Sequence, residues 1–288
     1  MLTLGTAFSG IGGFELGLER SMPIKTIFQI ENDVYARKVL RRHWPKTKLY
    51  GDIRKIKTQL DNCDVLAAGF PCQGFAICGP KDGFENEKSY LYWELYRHVC
   101  GMERKPRVII LENSPNLLIS HGAFGRLLGS LVSLRYNIEW TILSCSQFGA
   151  PHERKRLFIV SYKRPDEIIS GKGKHKNENK NEGNKQTSSD TDSQHSKKHR
   201  KQIAIFQEFD SLGCGDSFDD GRRNHWERFP NVSPFCGGDD GFSNKFYKHR
   251  RQRIKCLGNS VSPVVTEYIG ECIMKSGILD SSIKELNT

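Results

Sequence analysis

Three groups of side chains in this sequence have the types and spacing to carry out chemistry. Cys72 lies in residues 69–75 (GFPCQGF), where a short apolar run enters a loop containing glycine and proline. Glu112 follows a second apolar run, and Arg154 and Arg156 alternate further along. A thiolate is the strongest side-chain nucleophile near neutral pH, and a carboxylic acid can protonate a reacting group. The pattern is typical of covalent catalysis, although a lone cysteine is more often buried and inert.

A glycine-rich turn precedes these residues. Residues 8–14 (FSGIGGF) follow an apolar run and begin a helical pattern, and Glu31 comes about 20 residues later. Glycines at such a turn let the backbone approach a ligand, and a carboxylate at this distance can accept hydrogen bonds from ribose hydroxyls. Asp52 is a second acid placed to meet an adenine amino group. These features predict an adenosine-containing cofactor, without separating a nicotinamide dinucleotide from S-adenosylmethionine, and a ligand-free tight turn is the alternative.

The elements that must position these residues alternate between short apolar runs and amphipathic stretches. This pattern predicts βαβ units on a mostly parallel sheet, hence an α/β fold. The predicted strands are Leu2–Ala7, Lys25–Ile30, Val65–Ala68, Val108–Leu111, Ile138–Leu143 and Leu157–Tyr162. The predicted helices are Gly13–Arg20, Val34–His43, Tyr90–Gly101 and Gly122–Leu134, and residues 257–279 return to apolar helical character.

Composition divides the chain into three regions. Residues 1–162 are predicted to form the catalytic and cofactor-binding domain. Residues 163–255 contain a flexible basic loop at about 170–202, rich in Lys, Asn, Gly and Ser, and then an irregular region. Residues 256–288 are predicted to pack back on the first domain. Whether the loop contacts a partner or is only a flexible insertion stays open at this level.

Charge and cysteine usage narrow the partners and the compartment. The formal net charge of +11 favours a polyanion such as nucleic acid, although a solvated basic surface is an equal alternative. The nine cysteines include no Cys-x-x-Cys pair that would suggest zinc, which fits a reduced cytosolic protein. No secretory signal and no apolar run of about 18 residues are evident. The chain is therefore predicted to be cytoplasmic, with no membrane partner.

The order of several motifs resembles the DNA cytosine-5 methyltransferase family. The Pro-Cys-Gln of residues 71–73 resembles the family's catalytic loop, and Glu112-Asn113 resembles its Glu-Asn-Val motif. Residues 147–156 are similar to its Pro-Gln-x-Arg-x-Arg segment, and residues 258–263 to its Gly-Asn-Ser-Val motif. Phe8 to Gly13, Glu31 and Asp52 resemble its cofactor-binding residues. The resemblance covers the chain outside residues 163–255.

The resemblance implies a Rossmann-like S-adenosylmethionine-dependent methyltransferase fold with a small, irregular target recognition domain. It implies methyl transfer, without a metal, to carbon 5 of a flipped cytosine in a specific duplex DNA sequence, leaving S-adenosylhomocysteine. A restriction-modification or prophage enzyme, acting as a monomer at the bacterial nucleoid, is the expected context. The implied catalytic residues are Cys72 as nucleophile, Glu112 as acid, and Arg154 and Arg156 at the base and catalytic loop.

The same resemblance suggests the binding residues. The expected cofactor contacts are Phe8, Ser9, Gly10, Gly12, Gly13, Glu31, Asp52, Ile53, Leu91, Asn259 and Ser260. The expected DNA contacts are Gln73, Arg222, Arg223 and Arg228. In the recognition region, arginines can read guanine edges or merely hold phosphates, and the sequence does not choose between them.

The sequence departs from the family pattern in three places. Gly74-Phe75-Ala76 replaces the usual Pro-Phe-Ser, Ser114 replaces Val, and His152 replaces Gln. None of these changes removes a catalytic group.

The alternative functions are a transfer RNA cytosine-5 methyltransferase of the same family, an NAD-dependent oxidoreductase, and a non-enzymatic basic nucleic-acid-binding protein. The oxidoreductase leaves Cys72 and the two arginines unexplained.

Overall fold

The computed structural model describes residues 1–71, 90–120, 122–163, 205–206 and 250–280. Its strands are β1 (Leu2–Ala7), β2 (Ile24–Ile30), β3 (Lys48–Tyr50), β4 (Val65–Gly69), β5 (Val108–Asn113), β6 (Asn137–Ser144) and β7 (Lys155–Tyr162). Its helices are α1 (Gly13–Ser21), α2 (Val34–His43), α3 (Leu91–Gly101), α4 (Ala123–Ser133), α5 (Arg250–Asn259) and α6 (Pro263–Lys275).

The described strands form one sheet in the order β3-β2-β1-β4-β5-β7-β6. The first five run parallel, whereas β7 is antiparallel to both β5 and β6. The predicted α/β fold with a mostly parallel sheet is confirmed. The chain changes direction across the sheet between β1 and β4, which is the position where open α/β sheets bind ligands at the carboxyl ends of their strands.

Helices cover both faces of the sheet, and alternate strand residues serve the two faces. Val65 and Ala67 of β4 belong to one buried cluster, which α1 and α6 also enter. Leu66 and Ala68 belong to the other, which α3 and α4 enter. A parallel strand buried on both faces reads as a continuous apolar run, which is why these strands were visible in the sequence.

Three details differ from the sequence prediction. β3 was not predicted, because a three-residue edge strand is too short to show an alternating pattern. β5 and β7 extend to Asn113 and back to Lys155, since their antiparallel ladder continues past the apolar residues. The apolar C-terminal stretch is interrupted before Pro263, where Ser262 has an extended backbone (φ −74°, ψ 122°), as the residue before proline prefers.

The crossing of α1 and α6 depends on close backbone approach. Thr266 of α6 donates its hydroxyl hydrogen bond to the carbonyl of Gly13 at 3.0 Å. A methyl group added to Gly17 would overlap the Thr266 hydroxyl and the Pro263 carbonyl. Glycine at position 17 is therefore required by helix packing.

We expect Gly17→Ala to lower the free energy of unfolding by about 1–3 kcal/mol, because the added methyl forces the two helices apart. The matched control is Gly125→Ala in α4, where no described atom lies within 4 Å of the new methyl. That control should raise the free energy of unfolding by roughly 0.4–1 kcal/mol through reduced unfolded-state entropy. Urea denaturation measures both, and stabilisation by the Gly17 variant would contradict the packing argument.

Candidate active site

A cavity of about 580 Å³ lies at the carboxyl ends of the central strands. Its walls come from the loops after β1, β2, β3, β4 and β5, from the starts of α3 and β7, and from α5. Predicted site residues that line it are Phe8, Gly10, Glu31, Asp52, Ile53, Leu91, Glu112, Arg154, Arg156 and Asn259. Residues far apart in sequence, assigned to cofactor binding or to catalysis, therefore share one cavity.

The glycine turn presents only part of itself to this cavity. Gly10 has φ +57°, and no described atom lies within 4 Å of a methyl added there. Gly12 and Gly13 face away: added methyl groups would overlap the Trp44 ring and the Val261 carbonyl. Of these three glycines, only Gly10 leaves open space for a ligand, and the other two are explained by packing.

Ser9 also lies behind the turn. Its side chain is buried, with its hydroxyl 2.7 Å from the Thr6 hydroxyl. Thr6 in turn donates to the buried carboxyl of Glu15 at 2.7 Å, and Gln29 donates to the same oxygen at 2.8 Å. Burial raises the pKa of Glu15. Ser9, Gly12 and Gly13 do not line the cavity, and their predicted contact with a cofactor stays a prediction.

Glu31 fixes the shape of the turn from the neighbouring strand. One of its carboxylate oxygens accepts from the Gly10 N–H at 2.7 Å and the other from the Asp33 N–H at 2.7 Å. Burial raises the pKa of this carboxyl, and the two backbone N–H groups partly oppose the rise. The half-buried carboxylate therefore positions the turn and also borders the cavity.

Asp52 is engaged with its neighbour Arg54. Its carboxylate lies 2.8 Å from the Arg54 guanidinium, and it also accepts the Arg54 backbone N–H at 3.1 Å. The side-chain hydrogen bond from Arg54 holds the pKa of Asp52 below its usual value. An adenine amino group would therefore have to share or replace an existing cationic partner.

The turn that carries Asp52 is held by a histidine that the sequence did not single out. His98 of α3 is buried, and its Nε2 lies 3.2 Å from the carbonyl oxygen of Ile53. Burial lowers the pKa of His98 and favours the neutral ring. A lone histidine within a helical pattern gives no sequence signal of such a contact.

Glu112 and Arg156 form an ion pair at the side of the cavity where β5 ends and β7 begins. Arg156 Nε lies 2.9 Å from Glu112 Oε1, and the Glu112 side chain is 12% exposed. Burial raises the pKa of Glu112, opposed by the positive charges of Arg156 and Arg154. The β5–β7 ladder brings these residues together, because Glu112 pairs with Phe158 two residues beyond Arg156.

Arg154 binds the segment 258–260, which comprises the end of α5 and the residue after it. Its guanidinium donates to the Gly258 carbonyl at 2.5 Å and to the Ser260 carbonyl at 2.8 Å. Asn259 borders the cavity from this segment, whereas Ser260 does not. The two arginines therefore have different contacts: Arg156 meets the carboxyl, and Arg154 holds the chain that closes the cavity.

Asn113 connects β5 to the chain just before Cys72. Its side chain is buried and donates to the Phe70 carbonyl at 3.2 Å, while its Oδ1 accepts the Ser114 N–H at 2.8 Å. The sequence identified Asn113 only as part of the Glu112-Asn113 motif. Its contacts now give it a defined task in fixing residue 70.

α5 borders the cavity, and it begins earlier than the helical character that the sequence predicted from residue 257 onward. Lys255 lies 2.8 Å from Asp33, the N-cap of α2, and Cys256 and Gly258 also border the cavity. The contact joins positions 222 residues apart. In the sequence, only the position of Lys255 just before the residue 258–263 motif could have indicated its contact with Asp33.

Cys72, Gln73, Arg222, Arg223 and Arg228 lie outside the described residues. Within the described ranges, no group of three or more His, Cys, Asp or Glu side chains could hold a metal ion. None of the helices in that part of the chain combines the length and apolar character needed to cross a bilayer.

We expect Asn113→Ala to lower the free energy of unfolding by about 1–3 kcal/mol, because it leaves the buried Phe70 carbonyl without its donor. The control is Asn116→Ala on the following 3-10 turn, which should change the value by no more than roughly 0.5 kcal/mol. Chemical denaturation of the two variants compares them. Equal effects would show that the Asn113 contact is not stabilising.

The profile of C-5 cytosine-specific DNA methylases matches residues 3–212 of this chain. The chain is 35% identical over 169 residues to the Type II methyltransferase M.Bsp6I of Bacillus sp. (strain RFL6), covering 57% of this chain and 53% of that protein. It is 32% identical over 160 residues to the Type II methyltransferase M.HhaI of Haemophilus parahaemolyticus, covering 54% and 47%. The matched part thus spans about half the length of these curated relatives.

The fold extends further than the sequence similarity. The structure of the Entamoeba histolytica methyltransferase EhMeth superposes with a TM-score of 0.59 at 19% identity, covering 96% of this chain and 98% of that one. At this identity the likeness concerns the fold alone.

Proposed function

This chain belongs to the C-5 cytosine-specific DNA methylase family, and from that premise we propose that it methylates carbon 5 of cytosine in duplex DNA, as a Type II modification enzyme. One observation carries the proposal: the Gly10–Glu31 turn and the Glu112–Arg156 pair border the same cavity. A methyl donor and a pyrimidine bound there would be neighbours.

The cavity has features that suit S-adenosylmethionine. Its volume is within the range of small-molecule sites, and Gly10 leaves room for close approach at the turn. When bound, this cofactor supplies an electrophilic methyl group on a sulfonium. Glu31 would accept from the ribose hydroxyls, Ile53 and Leu91 would contact the adenine, and Asp52 would meet its amino group beside Arg54.

Glu112 is the proposed acid toward the base. Burial raises its pKa, so the carboxyl keeps its proton to a higher pH than an exposed glutamate does. The protonated carboxyl would donate to the ring nitrogen next to the cytosine amino group. That donation stabilises the charge that develops when a nucleophile adds to the ring.

Cys72 is the proposed nucleophile. The Cys72 thiolate would form a bond to carbon 6, and the electron density gained at carbon 5 would take the methyl group. Loss of the carbon 5 proton to a base would then break the sulfur–carbon bond and restore the ring. Asn113 holds the Phe70 carbonyl two residues before Cys72, so it is a positioning residue for the start of this loop.

The two arginines support these groups in different ways. Arg156 would keep the carboxyl of Glu112 oriented toward the base, and its charge limits how far the Glu112 pKa rises. Arg154 would act as a positioning residue, since it holds the carbonyls of Gly258 and Ser260 beside the cavity. In a duplex the target carbons are stacked, so the cytosine would have to turn out into the cavity.

We further propose the domain organisation that the sequence predicts. Residues 163–255 would form the recognition region, contacting DNA through Arg222, Arg223 and Arg228. Gln73 would contact DNA from the catalytic loop. Residues 256–288 would complete the catalytic domain.

Cys72→Ser should abolish methyl transfer while leaving cofactor binding intact, because the hydroxyl is a far weaker nucleophile than a thiolate. Cys100→Ser, which alters an exposed cysteine at the end of α3, is the matched control and should retain activity. The assay is incorporation of labelled methyl groups into duplex DNA, with transfer RNA as a second substrate. Full activity of the Cys72 variant would refute the assigned nucleophile.

Duplex DNA containing 5-fluorocytosine offers a direct test of the covalent step. Fluorine at carbon 5 cannot leave as a proton does, so the enzyme should remain attached to the DNA in the presence of S-adenosylmethionine. Denaturing electrophoresis should show this adduct for the wild type and the Cys100 variant, and not for the Cys72 variant. An adduct that persists without Cys72 would place the nucleophile elsewhere.

The pH dependence of turnover tests Glu112. Its raised pKa means that the donating, protonated form is present below that pKa and is lost as pH rises through it, so turnover should fall on the alkaline side. Glu112→Gln keeps a hydrogen-bond donor that does not titrate, and should lower turnover by about 10²- to 10⁴-fold while removing that alkaline limb. A Glu112→Gln profile with the wild-type alkaline limb would assign the titration to another group.

A further inference from the structure

A dense basic surface surrounds the β3 edge of the sheet, away from the catalytic side of the cavity. Residues 34–60 contain nine Lys and Arg against one acid, Asp52, so 27 residues carry a net charge of +8 out of +11 for the whole chain. Eight of these basic side chains are exposed, and we call them the β3 basic surface. They are Lys38, Arg41, Arg42, Lys46, Lys48, Arg54, Lys55 and Lys57.

The three segments that carry this surface lie next to one another. Lys38, Arg41 and Arg42 occupy one outer face of α2 by their spacing of three and four residues. β3 is the edge strand of the sheet, and Lys48 at its start pairs with Asp61 at 3.2 Å. That pair brings the chain after the Ile53–Lys55 turn back beside β3. The charges therefore share one edge of the molecule.

Among the residues that the structure describes, most of these basic side chains have no acidic partner. Lys48 and Arg54 have acidic partners, Asp61 and Asp52. In the part of the chain that the structure describes, no acidic side chain lies within 4.0 Å of the other six basic groups. Repulsion among these like charges disfavours the folded state unless an external polyanion offsets it.

Helix stabilisation explains only part of the pattern. Arg41 and Arg42 lie in the last turn of α2, where positive charge interacts favourably with the helix dipole. That effect falls off within the last turn, and it does not apply to Lys46, Lys55 or Lys57, which lie outside α2. A partner with many regularly spaced negative charges fits the whole surface.

Resting on the proposed function, we infer that the β3 basic surface binds the phosphate backbone of duplex DNA outside the recognition site. β3 lies four strands from β5, which carries Glu112, and at about 4.8 Å per strand the separation is about 19 Å. A duplex advances about 3.4 Å per base pair. A duplex whose axis follows the strand order would meet this surface about six base pairs from the target cytosine, through contacts that carry no sequence information.

The test is the salt dependence of DNA binding. The variant Arg41→Gln/Arg42→Gln removes two charges from the surface, and the control Lys105→Gln/Arg135→Gln removes two charges elsewhere. Each is titrated against a fluorescent 30-base-pair duplex at several salt concentrations. We expect the slope of log Kd against log salt to fall by about 2 in the surface variant, at roughly 0.9 per lost phosphate contact, and to be unchanged in the control.

A second double variant tests the part of the surface that lies outside α2. Lys55→Gln/Lys57→Gln removes two charges from the chain at and after the Ile53–Lys55 turn and should lower the slope by a similar amount. The inference would be overturned if both variants had the same slope as the control. It would also be overturned if the variants lost binding to RNA or anionic vesicles but kept their binding to DNA. Methylation at saturating DNA should persist in all variants. Failure of the wild type to methylate DNA would instead overturn the proposed function.

Discussion

The antiparallel pairing of β7 with β5 is the constraint on which the site depends. Because β7 runs back along β5, its first residues arrive where β5 delivers Glu112, and Arg156 meets that carboxyl at 2.9 Å. A buried carboxyl without a cation would be costly to ionise, and the pair limits that cost. If β7 ran parallel to β5, Arg156 would lie at the amino ends of the strands, far from Glu112 at the carboxyl end of β5.

The glycine-turn side of the cavity depends on close packing behind the turn. Gly12 and Gly13 let Trp44 and Val261 approach the turn, so the turn is supported from the α2 side and from the α5–α6 break. Glu31 then fixes its front by accepting the Gly10 N–H. One short motif therefore serves two purposes, with Gly10 toward the cavity and the other glycines toward the interior.

Most strands of the sheet and the order of the site motifs could be predicted from the sequence. Six strands were visible as apolar runs, and the order of Cys72, Glu112, Arg154 and the residue 258–263 motif indicated the family. β3 was missed because three residues do not establish a pattern. The contact of Lys255 with Asp33, and that of His98 with Ile53, depend on tertiary packing between distant segments.

The glycine-turn side and the Glu112 side of the cavity share a wall formed by residues 255–259. Arg154 lies two residues before Arg156 and donates to the carbonyls of Gly258 and Ser260. The same segment follows Lys255, which is tied to the N-cap of α2 beside Glu31. Movement of residues 255–260 away from the cavity would therefore remove two acceptors from Arg154 and one partner from Asp33. A ligand that held this segment in place beside the glycine turn would also hold both acceptors of Arg154, two residues before the Arg156 that pairs with Glu112.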